Sequence, residues 1–291
     1  MHSYNRVAPL TRTAAQPKAA TVVSVQAAEP DLQAAGIALC LAARLSELRQ
    51  RVLLLDLDTG NNIALYCGLE HVVAADQACI TATSSIAADR PFAADSRFNF
   101  GELAIIPAGW KSCAAMDTLR TLCSYSTKQS SPCAASLQEL RQEYDFVLID
   151  APPMMMRSHL ANPLSDFSAQ SADVVLLPHL TLGAFGERQI HKCAQFIHAA
   201  QRAAARPTRR EVWVMPLDYP RVDAALLQHL ENQFRPDAVH QITALQYSAL
   251  AYQLAILQSP GFETGERIVH IRRLAAEFLD SMAQTCLALR E

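Results

Sequence analysis

Six short, nearly unbroken apolar runs constrain this chain more than any other feature. They are TVVSV at 21–25, RVLLLDL at 51–57, LAIIP at 103–107, FVLI at 146–149, VVLL at 174–177 and VWVM at 212–215. A strand with one face in water alternates apolar and polar residues, whereas a continuous run of this length has both faces covered. Helical stretches lie between the runs. Residues 32–48 are rich in alanine and leucine, and residues 136–143 are short and amphipathic. Buried strands alternating with helices predict a doubly wound α/β fold: a mostly parallel sheet, helices on both faces, and ligands at the carboxyl ends of the strands.

Composition agrees with such a fold. Of 291 residues 51% are hydrophobic and 18% charged, enough to bury a large core and too apolar for global disorder. The net charge of −3 gives no support to a basic nucleic-acid coat. Eight cysteines are scattered without a CxxC pair or zinc spacing, and read as reduced thiols. There is no HExxH and no GxSxG, which argues against a metal enzyme or an α/β-hydrolase. The first twenty residues carry Arg6, Arg12 and Lys18 but no apolar signal core, so residues 1–20 are expected to form a flexible arm before a single domain at 21–291. No apolar stretch reaches the roughly 18 residues of a bilayer span. The expectation is a cytoplasmic protein whose contact with a membrane, if any, is indirect. From Ile268 an apolar stripe at helical spacing runs through Ile271, Leu274, Phe278, Met282, Cys286 and Leu289. It fits a closing core helix, and with Arg267, Arg272 and Arg273 at one end it also fits a membrane-surface helix.

Several segments in order carry a family resemblance: VVSV at 22–25 with the helix after it, RVLLLDLDTGNN at 51–62, YDFVLIDAPP at 144–153 and, more weakly, SADVVLLP at 171–178. The chain resembles the deviant-Walker P-loop ATPases of the ParA/MinD type, which include the pilus-localising TadZ/CpaE proteins, MinD-like proteins of cellulose synthesis and the kinase domains of exopolysaccharide export. The resemblance spans residues 21 to about 280. It implies the P-loop NTPase fold, an aspartate for the attacking water at Asp58, which is read as ending the second strand, and a magnesium-holding aspartate at Asp150.

The departure is greatest where ATP chemistry belongs. The family loop reads roughly KGGVGKTT, and a gapless overlay puts it on Glu29, Pro30, Asp31, Leu32, Gln33, Ala34, Ala35 and Gly36. The signature lysine falls on Glu29, the P-loop lysine on Ala34 and the magnesium-binding hydroxyl on Ala35. A phosphate cradle needs glycines so that successive N–H groups can turn inward. Pro30 removes one donor. Glu29 and Asp31 place carboxylates where phosphates should rest, and Asp31 is suited to cap the helix itself. The asparagine that recognises adenine in the family is also missing, with Met215 and Pro216 in its place. No cofactor is therefore expected, ATP and magnesium included. Asp58 and Asp150 read as vestigial, or as caps of the turns that follow them.

These residues lead to a non-catalytic pseudo-ATPase, a positional or regulatory scaffold in a bacterial envelope machine for exopolysaccharide or cellulose secretion or pilus assembly. It would be recruited to the inner membrane or cell pole, and would pair with itself or with an intact ParA/MinD-like ATPase. Tyr247, Tyr252 and Leu254, in an apolar and aromatic stretch before the last helix, are candidates for the protein contact, and core packing explains them equally. Two alternatives stay open. One is an ATPase whose lysine comes from elsewhere, such as Lys111 or Lys128. The other is a DNA-partitioning protein using Arg202, Arg206, Arg209 and Arg210, although nucleic acid is not the expected partner.

Overall fold

The computed structural model describes residues 18–27, 34–58, 60, 62–69, 82–87, 91–92, 97–108, 132–154, 163–179, 192–196 and 211–290. Eight strands form one sheet: β1 (Thr21–Val25), β2 (Val52–Asp56), β3 (Phe98–Phe100), β4 (Leu103–Ile106), β5 (Phe146–Asp150), β6 (Val174–His179), β7 (Glu211–Pro216) and β8 (Val239–Gln241). Their order is β3-β4-β2-β5-β1-β6-β7-β8, parallel throughout except for the β3–β4 pair. All six apolar runs are strands. The edge strands β3 and β8 escaped the sequence reading because each is only three residues long and partly exposed.

The residue alternation along the central strands sorts their side chains into two cores. On one face, Val23, Val25, Val52, Leu54, Phe146, Leu148 and Leu176 meet α1 (Ala34–Glu47), α2 (Asn62–Cys67), α7 (Tyr247–Ile256) and α8 (Thr264–Ala288). On the other, Val22, Leu53, Leu55, Val147, Ile149 and Val175 meet α3 (Ala82–Ala87), α4 (Pro132–Glu143), α5 (Pro163–Ser171) and α6 (Ala224–Gln233).

Helix α1 is the centre of the first core. Its sequence AAGIALCLAARLSE is made of strong helix formers, and every residue but Arg44 and Glu47 is buried. The helix stops in a Schellman turn: Gln50 N–H donates to the Leu45 carbonyl and Arg49 N–H to that of Ser46, with Arg49 in the left-handed region at φ 62°. Its alanines let α8 come close on the outer side. That long helix opens with a capping box between Glu263 and Glu266 and lays Ile268, Ile271, Leu274, Leu279, Met282 and Cys286 into the core.

The closing-helix reading of the tail is thus correct and the membrane-surface reading is not. Arg267 is buried and donates to the carbonyls of Leu65 (2.6 Å) and Phe262 (3.2 Å), and Arg272 donates to that of Phe100 (2.9 Å). Among the described residues no helix is long and apolar enough to cross a membrane. Residues 1–17 of the expected arm lie outside the described residues. Ala20 does not belong to a flexible arm, being buried with its N–H on the Arg141 carbonyl at 2.7 Å.

The packing of α8 gives a direct contrast. Ile271→Ala should lower unfolding stability by about 2–5 kcal/mol. Val269→Ala, two residues away and 66% exposed, should change it by less than about 0.5 kcal/mol. Urea unfolding followed by circular dichroism measures both, and equal effects would show that α8 does not seal the core.

Candidate functional site

In this topology the chain leaves β1 for β2 on one side, and later crosses β1 to go from β5 to β6 on the other. The strand ends around β1 are therefore the switch point where doubly wound folds bind ligands. The first turn of α1 and the ends of β1, β2 and β5 meet there. Of the loop residues singled out in the sequence, Glu29, Pro30, Asp31 and Gln33 lie outside the described residues. Ala34 and Ala35 are buried in the first turn of α1, at the positions matched to the P-loop lysine and the magnesium hydroxyl.

Beside that turn the structure places an acid that sequence reasoning passed over. β2 ends at Asp56, two residues earlier than expected, and Asp56 is in register with Asp150 of β5. Paired strands lie about 4.8 Å apart, and partners in register point to the same face. Both carboxyls thus point toward the α1 side, and both are buried. Asp58, which the sequence reading put at the strand end, lies beyond it and is only half-buried. The DLD spacing put Asp56 on the Val52–Leu54 face, a signal that needed only the strand end to be placed correctly.

The three acids differ in their partners. Asp58 caps its own turn, with Oδ1 accepting from Gly60 N–H at 3.1 Å. Asp56 Oδ1 accepts from the Asp58 N–H at 3.0 Å, while Asp56 Oδ2 is buried without a hydrogen-bond partner. Neither carboxylate oxygen of Asp150 has a partner. The capping role suggested for both vestigial acids therefore describes Asp58 and fails for Asp150. Burial raises the Asp150 carboxyl well above the usual range, and the neighbouring Asp56 and Asp58 raise it further. Burial likewise raises Asp56, with Asp58 adding to it and backbone N–H groups opposing it. Among the described residues no group of three His, Cys, Asp or Glu side chains is placed to hold a metal ion.

Apolar and phenolic groups enclose the pair. Tyr66 of α2 is buried, and its phenol is raised by burial, then by Tyr247, Asp150 and Cys40. The Cys40 thiol of α1 is pushed up to about 12 by burial alone. On the opposite face the end of β1 is tied to α5: Gln26 Nε2 donates to Ser24 Oγ (2.7 Å), which shares a 2.6 Å hydrogen bond with Ser168 Oγ. Ser165 Oγ donates to the Pro152 carbonyl at 2.6 Å, fixing the segment after Asp150.

The candidates for a protein contact separate. Leu254 does not face outward: it is 2% exposed and packs on α1, where a Cβ added at Gly36 would come within 2.6 Å of Leu254 Cδ1. Tyr247 is half-buried against the same core, and Tyr252 is 69% exposed. Met215 is buried in the α1-side core. Lys111, Lys128 and the arginine cluster from Arg202 to Arg210 fall outside the described residues.

Comparison with known proteins agrees with this architecture. The AAA_31 family model, an AAA domain, matches residues 34–207, and the chain belongs to that family, within the ParA/MinD-type P-loop NTPases. The matched span begins at Ala34, the first residue of α1. The fold is similar to that of apo McdA from Cyanothece, at 16% identity and TM-score 0.56, covering 87% of this chain and 98% of that one. It is similar to MinD from Pyrococcus horikoshii OT3 with Mg-ADP, at 17% identity and TM-score 0.52, covering 92% and 98%. It is also similar to cobyrinic acid a,c-diamide synthase from Mycobacterium smegmatis with an ATP analogue and magnesium, at 18% identity and TM-score 0.57, covering 88% and 93%. No curated protein sequence matches the chain.

The buried acid pair sets a pH dependence. Each carboxyl binds its proton more tightly folded than unfolded, so stability is greatest below the unfolded value near 4 and falls as pH rises toward the folded value. Asp150→Asn keeps the shape and removes the ionisation. It should match the parent near pH 3 and become the more stable protein as pH rises above about 4. Urea midpoints measured from about pH 3 to pH 8 test this. An asparagine variant less stable than the parent at neutral pH would mean that a cation or donor satisfies Asp150.

Proposed function

We propose that this protein is a non-catalytic ParA/MinD-type scaffold, a positional or regulatory subunit of a bacterial envelope assembly. The observation that carries the proposal is the connection from β1 to α1, which holds no lysine, no glycine before Gly36 and no hydroxyl, but has Glu29, Pro30 and Asp31. A triphosphate needs inward N–H groups and cations there, and the chain offers a missing donor and carboxylates. Ala34 and Ala35 in the buried first turn of α1 carry neither an ammonium group nor a hydroxyl.

Magnesium fits no better. A hard divalent cation seeks ionised oxygens with room for its waters. Asp56 and Asp150 are sealed from solvent and favour their neutral forms. In our reading, then, neither ATP nor magnesium is a working cofactor of this chain.

A scaffold needs a surface for its partner. Tyr252 and Val269 are the large apolar side chains in open contact with water among the described residues, and Tyr252 projects from a helix composed almost wholly of apolar and small residues. We assign Tyr252 to a protein contact, with Tyr247 and Leu254 supporting its helix from within. The partner is either a membrane-associated component or an intact ATPase of the same fold, with nucleic acid the less suited ligand for a chain of net charge −3. Recruitment to the inner membrane or cell pole follows from such a partner.

The second reading, an ATPase with a lysine supplied from elsewhere, is favoured by the Mg-ADP in Pyrococcus horikoshii MinD and the ATP analogue in the cobyrinic acid a,c-diamide synthase. Titration calorimetry of nucleotide-stripped protein with Mg-ATP and Mg-ADP separates the two. The scaffold reading expects no binding heat up to about 1 mM ligand. Ala34→Lys alone should also stay silent, because Pro30, Glu29 and Asp31 remain. Micromolar binding by the parent chain overturns the proposal.

A further inference from the structure

We propose that α7 is an internal strap that locks the first turn of α1 against the sheet, with Asp218 and Ser248 as its latch. Both ends of the strap are visible. At its start, the segment before α7 is stitched to the end of β7: Leu245 N–H donates to the Pro216 carbonyl (2.9 Å), Asp218 N–H to the Leu245 carbonyl (2.8 Å), and Leu217 and Leu245 form a parallel bridge. Gln246, the residue in the N-cap position, provides no side-chain hydrogen bond. Asp218 does the capping from another element. Its Oδ1 accepts from the Ser248 N–H at 3.0 Å and its Oδ2 from the Ser248 hydroxyl at 2.5 Å. A carboxylate at a helix N-terminus satisfies a free N–H and lies at the positive end of the dipole.

Asp218 adopts φ 58°, the left-handed region that aspartate tolerates better than most residues. That backbone setting turns the chain so that its carboxylate reaches α7. Further along, Leu250 and Leu254 point inward, and Leu254 Cδ1 lies 2.6 Å from where a Gly36 Cβ would be. Gly36 is in the first turn of α1, and a side chain there would force the end of Leu254 to shift. Tyr247 at the strap's start interacts with Tyr66, which lies beside Asp150. One helix of ten residues thus joins the end of β7, where the family reads adenine, to the turn where it holds phosphate.

The family resemblance implies a nucleotide that would touch both places. Here packing and one charged latch join them. That comparison rests on the scaffold reading above, whereas the mechanical coupling stands on geometry alone and is tested without nucleotide.

Hydrogen exchange of the full chain, read by mass spectrometry, provides the test. Asp218→Ala should speed exchange about tenfold in peptides covering both α7 and the first half of α1, while β2 and β5 keep parent rates. Asp218→Asn retains an acceptor for the Ser248 N–H and tolerates positive φ, so it should stay within about threefold of the parent. Coupling is reciprocal. Gly36→Val, too bulky at the far end of the strap for the tip of Leu254 to absorb, should therefore speed exchange near Ser248, which a simple cap would not transmit. If β2 and β5 also lose protection in Asp218→Ala, that variant has unfolded, and Ser248→Ala decides by the same comparison. Loosening confined to α7 in the latch variants, with the Ser248 region unchanged in Gly36→Val, overturns the strap. Failure here leaves the calorimetric test of the scaffold reading untouched.

Discussion

Helix α1 lies between the sheet and α8 with almost no side chain in water, and much of the architecture follows from that burial. A helix buried on all sides must be made of residues that pack closely, and alanine and leucine do so with little loss of side-chain freedom. The same demand reaches its first turn. In a nucleotide-binding P-loop, that turn presents a lysine to phosphate and a hydroxyl to magnesium. In this chain Ala34, Ala35 and Gly36 extend the packing surface to the end of the helix, and Leu254 covers the glycine. Small residues at that end of the helix thus have a positive role: they continue the core to the start of α1.

The buried acids show what that closure does to electrostatics. Two carboxyls in register across neighbouring parallel strands, both sealed from water, cannot both carry charge without large desolvation and repulsion. A bound cation would relieve that cost in an open site. In a closed one a proton relieves it, which is the direction in which burial moves both groups. Tyr66 and Cys40, the ionisable neighbours from α2 and α1, are also shifted toward their neutral forms. The neighbourhood behaves as interior rather than as a polar cleft.

How much of this was legible in the sequence depended on range. The strands and α1 were plain because an unbroken apolar run and an alanine-rich stretch each carry their own signal. The edge strands β3 and β8 were not, since three partly exposed residues have too little pattern to read. At the site, Asp150 was found by its place after a buried strand. Asp56 was missed because its importance comes from pairing with Asp150, a contact between residues 94 positions apart. Leu254 stayed open between a surface contact and core packing because an apolar helix shows no face of its own, and only Gly36, brought beside it by the fold, decides which way it points. The Asp218 latch had no sequence signal at all: an aspartate after a strand and a serine thirty residues later become a cap only when β7 and α7 meet.

The likeness to McdA, MinD and the cobyrinic acid a,c-diamide synthase is a likeness of backbone at 16–18% identity, and a backbone carries no chemistry by itself. What a chain of this fold does depends on the side chains carried on that backbone. In this chain the acids at the ends of β2 and β5 are buried and shifted toward their neutral forms. The role open to such a residue is set by the solvent and counter-charges around it as well as by its position in the family pattern. The strap, the alanine-lined first turn and the buried acid pair lie on the same side of the sheet and close the same space. On the scaffold reading proposed above, a lysine restored at Ala34 alone would place its charge against the packed first turn of α1.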